Sequence, residues 1–212
     1  MTSSTTLWYA SRATGFVALI LLTVVFAAGI GISRQARIPG LPRFAVTDLH
    51  RNLSLLAVAF VAVHVISAVL DTFVSIPVLS AVIPFASSYE RFWLGLGAIS
   101  FDLMLAMIIT SLVRGRLNRL TWLAIHLTAY LSWPVAFLHS IYSSGDLRHG
   151  VLLDLSLGCA VIVGAAVIWR LVSVVRRLPR AQRVAAQLAA AQPAAGSPPR
   201  RTPRTLPPRT AR

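Results

Sequence analysis

Five apolar runs dominate this chain, at residues 15–32, 46–70, 92–113, 121–142 and 151–175, and each suits a helix crossing the hydrocarbon core of a bilayer. In lipid a segment must satisfy its own backbone polar groups, which helices do. The expected fold is therefore all-α, a polytopic membrane helical bundle of about five transmembrane helices. A hydrophobic fraction of 56% and a mean hydropathy of +0.73 over 212 residues exclude an ordinary soluble domain. The run at 15–32 reads as a retained helix rather than a signal peptide, because Arg34 and Arg37 follow it where a signal would place its charge first. Trp8 and Tyr9 in the polar segment 1–14 read as interfacial anchors.

Charge sets the expected orientation. Arg clusters at 33–43, 114–120 and beyond 175 alternate with loops carrying Asp71, Glu90 and Asp146. Basic loops stay in the cytoplasm, which puts the N-terminus outside and the C-terminus inside. The net charge of +14 comes mostly from such loops and from the tail, so it gives no reason to invoke nucleic acid. Residues 176–212, rich in Ala, Pro and Arg, read as a disordered basic cytoplasmic tail following the bundle at 15–175. The single cysteine, Cys159, lies inside an apolar run and excludes an internal disulfide or a cysteine cluster.

Against this background four histidines stand out. His50 and His64 lie on the second helix and His126 and His139 on the fourth. Ionisable groups inside a membrane are costly and read as functional by default. Fourteen residues of helix rise about 21 Å and turn about 1400°, which sets His50 and His64 on one face, one near each leaflet. Both helices are expected to run from inside to outside, so the pairs would be His50 with His126 and His64 with His139. Imidazoles on facing helices of a bundle are suited to holding haem iron, and four would hold two haems. A lone buried histidine is more simply a hydrogen-bonded core residue; two pairs on co-directional helices favour ligation. Thirteen residues of straight helix leave His126 and His139 about 140° apart. A distortion is expected at Pro134, which cannot donate to the carbonyl of Tyr130.

The HRNLS context of His50, the 14-residue pair and the 13-residue pair two helices later resemble the ferric reductase-like transmembrane domain superfamily, over roughly residues 10–175. That superfamily includes ferric reductases, NADPH oxidases and the haem-binding subunit of methionine-sulfoxide reductase. The resemblance implies two b-type haems carrying electrons from a cytoplasmic flavin to an acceptor across the membrane. It assigns His50 and His126 to the inner haem, and His64 and His139 to the outer. The chain shows no glycine-rich nucleotide loop and no room for a flavin and NADPH domain, so its electrons are expected from a separate flavin reductase or from quinol. Ferric iron, oxygen, a quinone or a periplasmic partner protein fits as acceptor. The expected setting is a cell membrane, bacterial inner membrane by type.

Other residues invite roles. Arg51 beside His50 could pair with a haem propionate, or simply serve the positive-inside rule. Asp102, midway along the third helix, fits a hydrogen bond to a neighbouring helix better than a proton relay. Trp133 fits aromatic packing better than a redox role. His149 in the outer loop reads as an exposed loop histidine. Gly95 and Gly97 are expected to allow close helix packing, and residues 71–91 to form a surface loop too interrupted to span. The alternative to a di-haem cytochrome is a haem-free transporter or assembly subunit whose histidines line a polar path.

Overall fold

A computed structural model describes residues 2–33, 42–72, 74–143 and 145–191. Among them the chain is helical with no strand, and five helical segments have the length and apolarity to cross a membrane. The helices are α1 (Thr2–Ser33), α2 (Arg43–Leu70), α3 (Arg91–Leu112), α4 (Arg119–His126), α5 (Ala129–Ser143) and α6 (Gly150–Ala191). α4 and α5 together make one crossing, Arg119–Ser143. The basic turn expected at 33–43, apart from its ends, and the Pro- and Arg-rich end of the chain lie outside the described residues.

Two boundaries differ from the sequence reading. α1 begins at Thr2, so the polar segment before residue 15 is part of the first helix. Arg12 lies over the Trp8 ring at 3.6 Å, an i,i+4 contact that supports this added stretch. α6 runs on to Ala191 instead of stopping near Val175, through AQRVAAQLAAA, a string of strong helix formers. Residues 171–191, the end of this helix, belong to a unit separate from Met1–Arg170.

Within Met1–Arg170, α1 packs along α2, α3 along α5, and α1 against α5. Leu19, Trp133, Cys159 and Val163 are buried together, joining α1, α5 and α6. Trp133 Nε1–H donates to Thr23 Oγ1 at 3.0 Å across this core, and Phe26 and Phe137 lie against its ring. Trp133 is thus a packing residue tied by one hydrogen bond. Thr23→Val would leave the indole N–H buried and unpaired. We expect it to lower stability by about 1 kcal/mol in thermal unfolding in detergent, with Thr23→Ser close to wild type. The polar tie between α3 and α5 is reciprocal: Ser100 Oγ–H donates to the Ser132 carbonyl at 3.1 Å, and Ser132 Oγ–H to the Ser100 carbonyl at 3.2 Å. Asp102, expected to make such a bond, instead has no hydrogen bond or ion pair among the described residues.

The break in the fourth crossing falls at Leu127–Thr128, nearly two turns before Pro134, which is itself inside α5. Here Thr128, Tyr130 and Leu131 donate to carbonyls three residues back, and Thr128 Oγ1–H donates to the Ile125 carbonyl at 2.7 Å. Pro134 removes a donor and crowds the carbonyl of Tyr130, so the relaxation is taken up ahead of it. A tightened turn adds roughly 20° per residue over an α-helix, which moves His126 and His139 toward a common face.

The segment between α2 and α3 does not span. Among its described residues it carries one 3₁₀ turn, Val78–Ala81, and then lays Phe85 onto α3. A Cβ on Gly95 would collide with the Phe85 ring, so that glycine admits a loop side chain rather than a second helix. Phe85 has φ +65°, an uncommon conformation for a bulky residue. Arg91 Nε–H holds it by donating to its carbonyl at 2.8 Å.

Candidate functional site

Three of the four histidines are held by one device. In an α-helix the side chain at position i+4 covers the carbonyl of residue i, as the Ser and Thr hydroxyls that bond back one turn demonstrate. Glycine at i+4 leaves that carbonyl open to a second donor. His64 Nδ1–H donates to the Ser11 carbonyl at 2.7 Å, and a Cβ on Gly15 would come within 2.7 Å of its ring. His50 Nδ1–H donates to the Val25 carbonyl at 3.0 Å, with Gly29 under its ring at 3.2 Å by the same measure. His139 Nδ1–H donates to the Trp93 carbonyl at 2.9 Å, with Gly97 at 2.7 Å. Each carbonyl lies four residues before its glycine.

Because a carbonyl only accepts, each of these Nδ1 atoms carries the proton, and Nε2 keeps its lone pair for another partner. This is the arrangement that prepares an imidazole for a metal: the second ring nitrogen fixes tautomer and orientation. Gly97 therefore serves a histidine on the facing helix, a more specific role than close packing.

The structure brings His64 and His139 together, ring centres 6.2 Å apart and planes at 70°. They share a cavity of about 630 Å³ with apolar neighbours such as Phe16, Leu19, Phe101 and Met104, and with Ser100 and Ser132. Trp8 and Tyr89 also line it, so Trp8 belongs to the cavity wall as well as to one end of α1. Size and lining suit an organic cofactor. Two metal–imidazole bonds of about 2 Å, with the distance from each ring nitrogen to its ring centre, span about 6 Å. The separation of the two ring centres matches that span.

His50 lies fourteen residues before His64 on α2, and His126 ends α4 in the crossing that also carries His139. His126 differs from the others. Its Nδ1 is buried without a hydrogen-bond partner among the described residues, and its ring stacks on Trp122 at 4.7 Å and 18°. Among the described residues no three His, Cys, Asp or Glu side chains come together to hold a metal. A cofactor bringing its own equatorial nitrogens and needing two imidazoles matches the donor set better than a bare ion.

The remaining candidates are dispersed. Arg51 is exposed and without a hydrogen bond or ion pair among the described residues, and His149 is exposed in its loop. The sequence reading missed Arg170, whose guanidinium donates to Tyr130 Oη at 2.6 Å within the span of α6. It also missed Gly15 and Gly29. Their separation in α1 equals that of His64 and His50 in α2, a correspondence visible in the sequence once two antiparallel helices are laid side by side.

Fold and site together define a multi-pass membrane protein in which His64 and His139 face each other across a cavity between the helices. The chain belongs to the family of ferric reductase-like transmembrane components, which it matches over residues 14–142, a stretch holding all four histidines and the three glycines. No curated protein and no solved structure matches it.

Proposed function

We propose that this protein is a di-haem b-type membrane cytochrome that passes electrons across the bilayer, with His50 and His126 holding an inner haem and His64 and His139 an outer one. The observation that carries the reading is the outer pair: two imidazoles facing one cavity, each with Nδ1 committed to a helix carbonyl and Nε2 left free. Membership of the ferric reductase-like family supports an electron-transfer role.

A bound haem, which His50 with His126 and His64 with His139 would hold, would supply reversible one-electron chemistry. The chain's own residues do the rest. The carbonyls of Ser11, Val25 and Trp93 aim three rings, and their glycines provide the slots. Phe16, Leu19, Phe101 and Met104 keep the outer chamber apolar. The rise of α2 separates the two layers by about 21 Å, which divides the membrane into two shorter steps.

Positive-inside charge orients the chain with its N-terminus outside, the His50 layer toward the cytoplasm and the basic tail inside. Electrons then enter from a separate flavin reductase or from quinol. They leave to ferric iron, oxygen, a quinone or a partner protein outside. The organisation is a haem-binding bundle at 15–175 followed by a basic tail.

The test is a haem count with spectra on purified protein. About two haems per chain and reduced-minus-oxidised bands of the b type are expected. A folded but colourless preparation overturns the reading and favours a haem-free transporter or assembly subunit.

A further inference from the structure

The clamp that holds three histidines is missing for the fourth. Counting from Gly97 the same number of residues that separates His126 from His139 leads along α3 to Thr110, not to a glycine. Its hydroxyl donates to the Ala106 carbonyl at 2.7 Å and so occupies the acceptor that a glycine there would leave open. His126 Nδ1 remains buried and unpartnered among the described residues. What holds the ring is a stack: the Arg114 guanidinium lies over Trp122 at 4.3 Å, and the Trp122 indole lies on His126 at 4.7 Å. Trp122 Nε1 is also buried without a hydrogen-bond partner among the described residues. His126 is moreover the last residue of α4, directly before the tightened turn at Leu127–Thr128.

A hydrogen bond from the outer ring nitrogen fixes an axial imidazole and raises its basicity, and its loss typically costs 10–100-fold in metal affinity. Stacking restrains the plane of the ring but fixes neither the tautomer nor the basicity. We propose that the four axial imidazoles are held unequally and that His126 is the exchangeable one. Resting on the two-haem reading, an iron held by His50 and His126 would then accept a small neutral ligand, whereas one held by His64 and His139, whose rings are both clamped, would not. The exchange breaks the bond from His126 Nε2 and forms one from the incoming donor atom. The imidazole leaves neutral and no electron moves. Trp122 acts as a positioning residue for His126.

Carbon monoxide added to the reduced, full-length, haem-loaded protein tests this by absorption spectra and by the rate of binding. Wild type should take up about one carbon monoxide for every two haems. Trp122→Ala should bind at that same centre at least tenfold faster or tighter, and Trp122→Phe, which keeps a stacking ring, should resemble wild type. Gly97→Ala, which pushes His139 off its carbonyl, should open the second centre. Uptake by neither haem or by both in wild type overturns the inference, as does Trp122→Ala binding like wild type. The wild-type and Gly97→Ala measurements decide it even if the Trp122 variants do not fold. A wild-type preparation without haem overturns the two-haem reading itself, a different result from haem present with no uptake.

Discussion

Replacing His64 with Ala is expected to halve the haem content, removing the outer group and leaving the inner one with its spectrum and potential nearly unchanged. The expectation comes from the separateness of the two layers. His64 takes its carbonyl from Ser11 and its slot from Gly15, whereas His50 takes Val25 and Gly29 from a point fourteen residues further along α1. No anchor is shared. The bundle should survive the change, because the buried centre formed by Leu19, Trp133, Cys159 and Val163 includes neither histidine. His139→Ala should give the same half-loaded protein, since its ring faces that of His64 across the same cavity. Haem quantification per chain, combined with electron paramagnetic resonance to count bis-imidazole centres, reads the result. Loss of only the inner centre in His64→Ala, or of both in each variant, would contradict the assignment of layers.

How far this arrangement can be read from the sequence depends on the range of each interaction. The spans follow from unbroken apolar runs, and apolarity is a local property. The histidine spacing is legible because a helix repeats on itself every 3.6 residues or so. The position of the distortion in the fourth crossing is not. Pro134 names a missing donor, but which turn yields depends on Thr128, whose hydroxyl can bond back to Ile125 and make the turn at Leu127–Thr128 the cheaper place to tighten. Asp102 and Ser100 show the same limit: both are polar residues on one span, and only the packing of α3 on α5 selects the serine as the tie. The fold of residues 74–90 depends on Phe85 reaching Gly95, a contact with no periodic signature. The glycine slots fall between these cases. Gly15 and Gly29 look unremarkable on α1 alone and acquire meaning only beside the histidines of α2.

The glycines of α1 should therefore differ sharply in what their replacement costs. Gly29→Leu should lose the inner haem and Gly15→Leu the outer, while Gly31→Leu should keep both. A Cβ at Gly15 would stand 2.7 Å from the His64 ring and one at Gly29 3.2 Å from the His50 ring, whereas one at Gly31 meets nothing within 4 Å. A leucine at either of the first two positions covers the carbonyl one turn back and drives the imidazole out of its slot. The histidine then loses both its orientation and the hydrogen bond that makes Nε2 a strong donor, and a drop of about 10–100-fold in haem affinity is expected. Gly31→Leu costs nothing by this route and replaces a poor helix former with a good one, so its thermal stability should equal or exceed wild type. Gly29→Ala is the graded case, because at 3.2 Å the ring needs to give only by a few tenths of an ångström. It should retain the inner haem with a weakened ligand, seen as a shift of that centre's potential while the other stays put. If Gly29→Leu and Gly31→Leu behaved alike, the glycines of α1 would be matters of helix packing in general, and the carbonyl clamp would have no part in holding the cofactor.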